Sequence, residues 1–217
     1  MSTNTNSTRL PATTSLLHAR HGRGVVPYIV SWSSEERLPG TVIERGRFGI
    51  GYADEILLDR DKQGVLWQRT SVSPGQGRPL FGQLHPVRQR RAMSRLLCGI
   101  CGGPPDQNEQ GTLWLIHDFR EDWPGWPEHM AEVEPPVCLP CAHLSVRACP
   151  SLRQSWVAVR VGQAPVSGVR GVRYRGGHIL PTPAGEATVA FEDPAIRWIL
   201  AAQLVRELTD CTVTELE

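Results

Sequence analysis

Two cysteine pairs, Cys98/Cys101 and Cys138/Cys141, constrain this chain more than any other feature in it. Two thiolates separated by two residues reach one ion from a single tight turn. Two such turns supply the tetrahedral sulfur set that Zn2+ prefers. The pairs stand 36 residues apart, room for a hairpin and a long loop. In LCGICGGPP a glycine follows each cysteine, and glycine lets the turn take positive φ and aim backbone N–H groups at sulfur. In PPVCLPCAHLSVRAC the second pair opens a short helical pattern, where the helix dipole favours thiolates. Zinc is expected over iron, because nothing adjacent suggests electron transfer. Four thiolates leave no coordination position for water, so the expected zinc is structural.

Composition narrows the class. At 217 residues the chain can bury a real core, and its formal net charge of +1 argues against a strongly basic nucleic-acid binder or a polybasic membrane protein. No apolar run approaches the roughly 18 residues of a membrane span. The start, MSTNTNSTRLPATTS, lacks the pattern of a signal peptide. The expectation is a cytoplasmic protein with no membrane partner, in which CxxC pairs bind metal rather than form disulfides. Cys149 and Cys211 are left as buried, inert thiols. Lys62 is the sole lysine. That bias points to a GC-rich coding genome, so clustered arginines are weak evidence for phosphate binding.

Along the chain, residues 1–24 read as a disordered tail rich in Ser, Thr and Asn. A β-rich segment follows over 25–84, with strands at 25–32 and 47–54. A hairpin, EILLD and VLWQR around RDKQG, comes next, and a Gly/Pro loop closes the segment at 71–83. Residues 85–150 hold a helix over HPVRQRRAMSRLL, opened by Pro86, and then the cysteine module. Residues 151–217 supply strands at 155–162, 167–175 and 186–191. Asp193 and Pro194 cap a final amphipathic helix, with Ile196, Leu200, Leu204 and Leu208 recurring every four residues. The predicted fold is α+β, mostly short antiparallel strands, with that C-terminal helix packed on the 25–84 segment.

Three groups of residues are candidates for chemistry or recognition. Arg88, Arg91 and Arg95 share one helical face and suit phosphates, or form a solvated face; Arg170, Arg173 and Arg175 form a second concentration on a strand. In FREDWPGWPEHMAEVEPP, Trp123 and Trp126 on a stiff turn suit either packing or recognition, and His129 amid carboxylates is either a catalytic or second-metal candidate or part of a solvated acidic loop. His117 and Asp118 follow TLWLI, and His143 follows the second cysteine pair. These three are either ordinary polar positions or catalytic ones. Knuckle, hairpin and ligand-bearing helix follow one another here as in a treble-clef zinc finger, and 98–150 resembles that class.

Through that order the segment is loosely similar to HNH-type nucleases, which implies His117 as general base with Asp118 beside it. No Asn stands between Gln110 and the second pair, so that family's central residue has no counterpart. HPVRQRRAM, LCGICGG, DWPGWPEHMA and PPVCLPCA resemble actinobacterial proteins sharing the double CxxC arrangement, a likeness that carries no activity with it. The leading expectation is a zinc-stabilised binding or regulatory protein recognising nucleic acid or a protein partner. A metal-dependent nuclease using His117 and Asp118 is the alternative, and a small-molecule-modifying enzyme with a structural zinc is a third.

Overall fold

A computed structural model describes residues 20–21, 24–152 and 155–216. Most of the tail expected at 1–24 lies outside them. The described chain opens with the paired two-residue strands β1 (Arg20–His21) and β2 (Gly24–Val25). Next come β3 (Val30–Trp32), β4 (Val42–Glu44), β5 (Ile50–Tyr52), β6 (Leu66–Trp67) and β7 (Pro79–Leu84). Helix α1 (Pro86–Arg95) leads into β8 (Gln107–Asn108), β9 (Gly111–Ile116), β10 (Met130–Glu132) and helix α2 (Leu139–Ala148). The chain closes with β11 (Val157–Gln163), β12 (Val166–Arg175), β13 (Thr182–Ala190) and β14 (Ile199–Thr214).

The last element corrects the predicted C-terminal helix. Asp193 does cap a turn, its carboxylate accepting from the Ala195 N–H at 2.7 Å. That turn is a 3-10 helix of five residues, Pro194–Trp198, and from Ile199 the backbone is extended for 16 residues. A spacing of four is also a multiple of two, so Leu200, Leu204 and Leu208 fit a strand as well as a helix. Covering both faces of β14 decides between them. Ile199 and Ala201 pack with Val65, Trp67, Met93, Val169 and Val189 on one side; Leu200 packs with Val42, Ile50, Tyr52 and Leu66 on the other.

One edge of β14 is paired along almost its whole length. β11 lies antiparallel to Thr209–Thr214 and β12 antiparallel to Ile199–Arg206, so the two act as one long strand interrupted at Ala164–Pro165. β9 then adds to β11, and β13 adds to β12. The opposite edge of β14 takes β6 in parallel and β10 antiparallel. The hairpin of the cysteine module and, from the N-terminal segment, β6 therefore share one sheet, whereas β3 with β7 and β4 with β5 form separate two-stranded sheets. The stretch read as a loop at 71–83 also departs from expectation: residues 79–84 form β7, paired to β3.

Helix α1 is held by polar groups. Its N-cap is His85, fully buried, whose Nδ1 accepts from the Arg88 N–H and whose Nε2 faces the Ser71 carbonyl at 2.9 Å. Gln89, also fully buried, donates to the carbonyls of Val133 and Leu204 and accepts from the Leu204 N–H. It thus supplies backbone partners that the edge of β14 would otherwise lack.

Arg88 is 6% exposed. Its guanidinium forks onto Glu35 at 2.6 and 2.7 Å and donates to the carbonyls of Tyr28 and Val30. Arg88 therefore leaves the face expected with Arg91 and Arg95, both of which are exposed. The cause is a buried carboxylate 53 residues upstream, which no local pattern reveals.

Burial by itself would raise the Glu35 pKa. The Arg88 fork and the backbone N–H groups of Trp32 and Ser73 overcome that and hold it at about 2. A depressed carboxylate pKa contributes stability above its unfolded value, which is lost as pH falls through the folded one. The thermal midpoint should therefore drop between about pH 4.5 and pH 2, and Glu35→Gln should flatten that drop. At pH 7, Arg88→Met alone should cost about 3–5 kcal/mol in denaturant unfolding, because it strands a buried carboxylate, while Arg88→Met with Glu35→Leu should cost much less.

Candidate metal centre

The cysteine module is built on β9. Leu113 and Leu115 point to the same side as Cys98, Val137, Cys141 and Ala142. Trp114 and Ile116 point to the other, with Val157, Val159, Val161 and Leu208. Period-two alternation thus puts the four-cysteine group on one face of the sheet and a Trp-centred core on the other. The knuckle is a hydrogen-bonded turn in which Gly102 N–H donates to Cys98 O at 2.8 Å and Cys98 N–H to Gly103 O at 2.7 Å. Only Gly102 of the two post-cysteine glycines has positive φ, at 71°. Gly99 is small for a different reason: a Cβ there would press on Pro135 at 3.3 Å and Ile29 at 3.4 Å.

The second pair arrives at a helix start, with Cys138 the N-cap of α2 and Cys141 in its first turn. Two backbone bonds bring it to the hairpin, Val137 N–H to Leu113 O at 2.9 Å and Asp106 N–H to Val137 O at 3.0 Å. Arg160 of β11 reaches Asp106 at 2.5 Å and fastens the module to the sheet. Tyr28 and Ile29 donate to the knuckle carbonyls of Ile100 and Gly99, so the N-terminal segment buttresses it too.

The four Sγ atoms all lie within 4.8 Å of one another, with Cys98 and Cys141 buried. Cys101 and Cys138 stand 3.9 Å apart. Tetrahedral coordination at a metal–sulfur bond of about 2.3 Å places sulfurs about 3.8 Å apart, so the group could hold one metal ion with little movement. The Cys141 thiol and the N–H groups of Cys101, Cys138 and Ile100 draw Cys98 down to about 5 against its burial. Burial and the charge on Cys98 push Cys101 up to about 12; the hydrogen bond to Cys98, then burial and that same charge, push Cys141 up as well. Four thiolates in one pocket repel, and a bound cation is what allows all four to ionise together. Cys149 and Cys211 are half-buried and outside the group. Burial and the neighbouring Glu128 and Asp210 push Cys211 up to about 12, which suits an unreactive thiol.

Among the described residues no second set of three or more His, Cys, Asp or Glu side chains comes together. His117 is exposed just past the end of β9, its ring 6.0 Å from Phe119. Asp118 accepts from Arg120 Nε at 2.8 Å. His143 sits on α2, and His129 pairs with Glu207 at 2.6 Å.

The loop between β9 and β10 splits its two tryptophans. Trp126 is 9% exposed and caps the core around Trp114, whereas Trp123 is 39% exposed. Trp126 therefore packs instead of forming a recognition surface. The carboxylates of this loop are not all solvated either. Glu128 accepts from the N–H groups of Asp210 and Cys211, pinning the loop to β14.

No family model matches the chain, and neither curated proteins nor solved structures give a match.

Glu132 is one of the acidic residues near His129 in the sequence, but it is not solvated. It sits buried in β10, where burial and then the charge of Glu134 raise its pKa to about 7, against the N–H groups of Glu134 and Val133. An acid with a raised folded pKa loses stability as pH rises from its unfolded value through the folded one. Glu132→Gln should accordingly raise the thermal midpoint at pH 8, by on the order of 2–3 kcal/mol in stability, and change little at pH 4. A midpoint that shifts equally at both pH values would contradict the assignment.

Proposed function

We propose that this chain is a zinc-stabilised binding protein whose metal is structural. The observation that carries this reading is the closed set of four sulfurs, all within 4.8 Å of one another, on turns joined by backbone bonds to β9 and to Tyr28 and Ile29. Such a set occupies every position of a tetrahedral ion and leaves none for water or substrate. With knuckle, hairpin and helix in order, we read the module as treble-clef-like. Zinc suits it best, being redox-inert and content with four sulfurs. The metal would clamp the knuckle to α2 and so hold β9 in register, leaving recognition of nucleic acid or a protein partner to surrounding surfaces. Arg91, Arg95 and Trp123 keep exposed groups for that purpose.

A binding role is supported over a nuclease one by how the candidate catalytic groups are engaged. Asp118 is committed to Arg120 and His129 to Glu207. His117, His129 and His143 join no second ligand cluster among the described residues.

The protein as purified should carry one zinc per chain. Substitution by Co2+ should give the thiolate charge-transfer and intense d–d bands of a tetrahedral sulfur site. Removal by a strong chelator should lower the thermal midpoint and expose the β9 amides to hydrogen exchange, because the binding free energy of a structural zinc is folding free energy. Cys141→Ser should reproduce that loss, and Cys149→Ser should leave metal content unchanged. A protein that binds no metal, or that loses it with no change in midpoint or exchange, would contradict the reading.

A further inference from the structure

A cleft of about 490 Å³ lies on the N-terminal half, lined by Arg45, Phe48, Glu55, Arg60, Gly64 and Arg197. That volume falls within the roughly 300–1,000 Å³ usual for small-ligand sites. It is assembled from sequence-distant parts. The β4–β5 turn docks on the 3-10 helix Pro194–Trp198, and the contact is close: a Cβ on Gly49, whose φ is +80°, would lie 2.0 Å from the Arg197 carbonyl oxygen. Arg197 in turn donates to the Arg47 carbonyl at 2.7 Å. The two elements are thereby locked, and the arginines they carry are gathered before any ligand arrives.

The charge here is lopsided in a protein of formal net charge +1. Nearby carboxylates are already engaged: Glu55 by Arg60 at 2.7 Å, Asp54 and Asp59 by Arg69. Asp61 accepts from the Val65 N–H and the Trp67 indole. Among the described residues no carboxylate forms an ion pair with Arg45, Arg47 or Arg197, all three exposed, although the charge of Arg45 joins Arg60 in lowering the Glu55 pKa. Beside them Phe48 is 62% exposed, with the Arg47 guanidinium 4.9 Å from its ring centroid.

From these features we infer that the cleft binds a nucleotide unit of single-stranded nucleic acid, with phosphate on Arg45 and Arg197 of its lining and on Arg47, which stands beside Phe48 outside that lining, and with base on Phe48. Arg45 donates to the Tyr52 carbonyl and Arg197 to the Arg47 carbonyl, but none of the three guanidiniums is in an ion pair among the described residues, so their other N–H groups supply donors for phosphate oxygens. A flat ring beside them stacks a base of any sequence. An anion alone would use the arginines and leave Phe48 idle. The inference rests on the binding reading above only in treating the protein as a binder, and it assigns the contact to a surface remote in sequence from the cysteines.

Fluorescence anisotropy of the full, zinc-loaded chain with a labelled oligo-dT of roughly 12 nucleotides tests it. Binding should weaken with salt at a slope near −2 in log K against log salt, from three phosphate contacts at about −0.7 each. Arg45→Glu and Arg47→Glu should each weaken it about tenfold or more, and Phe48→Ala roughly tenfold. Arg47 makes no side-chain bond that folding needs, so Arg47→Glu stays informative if Arg45→Glu unfolds. No binding at low salt, or binding indifferent to Arg47→Glu, overturns the proposal. A poly-Glu peptide bound as tightly as the oligonucleotide, with Phe48→Ala silent, replaces nucleic acid by an acidic protein partner and overturns it too. Competition by inorganic phosphate at micromolar level would instead mark a free-phosphate site, again against it. Zinc content measured on the same samples keeps the two readings apart, since a chain that takes up no metal at all yet binds the oligonucleotide contradicts the structural zinc and spares this cleft.

Discussion

Everything described here depends on the antiparallel ladder between β14 and the run β11–β12. Sixteen residues of β14 touch the strands of the cysteine-bearing half and β6 of the N-terminal half at once. Its last third pairs with β11, which carries β9 and, through it, the knuckle hairpin. Its first half pairs with β12 on one edge and β6 on the other. Such pairing is non-local, so its hydrogen bonds form only after distant chain segments meet. Once formed, the ladder makes every other choice consistent: α1 lies over it, the Trp126 loop closes its far end, and the 3-10 helix before it carries Arg197 to the β4–β5 turn.

Polar side chains do much of the joining. Gln89 bonds α1 to β14 through the Leu204 peptide, and Arg88 bonds it to Glu35. Arg206 donates from β14 to the carbonyls of Met93 and Ala164. Buried ion pairs and amides of this kind add little net stability, because desolvation opposes them; removing one partner is what costs heavily. Here they select one arrangement of short strands that apolar contacts alone would specify weakly. The arginines divide accordingly: Arg88, Arg160 and Arg206 are structural, Arg90 lies over the Trp67 ring at 4.4 Å, and Arg45, Arg47 and Arg197 stay at the surface outside any ion pair among the described residues.

Several features were legible because they are local. The CxxC spacing specifies its own turn, so the knuckle and its ligands need no tertiary information. The Pro86 helix start, the Asp193 cap and the strands of β9, β11, β12 and β13 follow from residues within a few positions of one another. β14 was hidden by arithmetic, since apolar residues four apart satisfy both periods. The signal against a helix lay further on, in the β-branched run Thr209, Thr212, Val213 and Thr214. Arg88 and Glu132 were misread for another reason: a charged residue's burial depends on partners and walls that are distant in sequence. Phe48 and the arginines around it form no motif at all, being 150 positions apart at the Arg47–Arg197 contact.

By itself, then, the sequence determined which atoms can hold a metal. Four thiolates in two short-range bites are a local chemical fact, and the fold had only to bring the bites together. What only the tertiary structure decided is which side chains are left over for a partner. Whether an arginine is a strut or a contact, and whether a tryptophan is core or surface, depends on what packs against it. That is settled by a ladder whose partners lie tens of residues apart, because backbone pairing in a sheet is collective and no single segment encodes its neighbour.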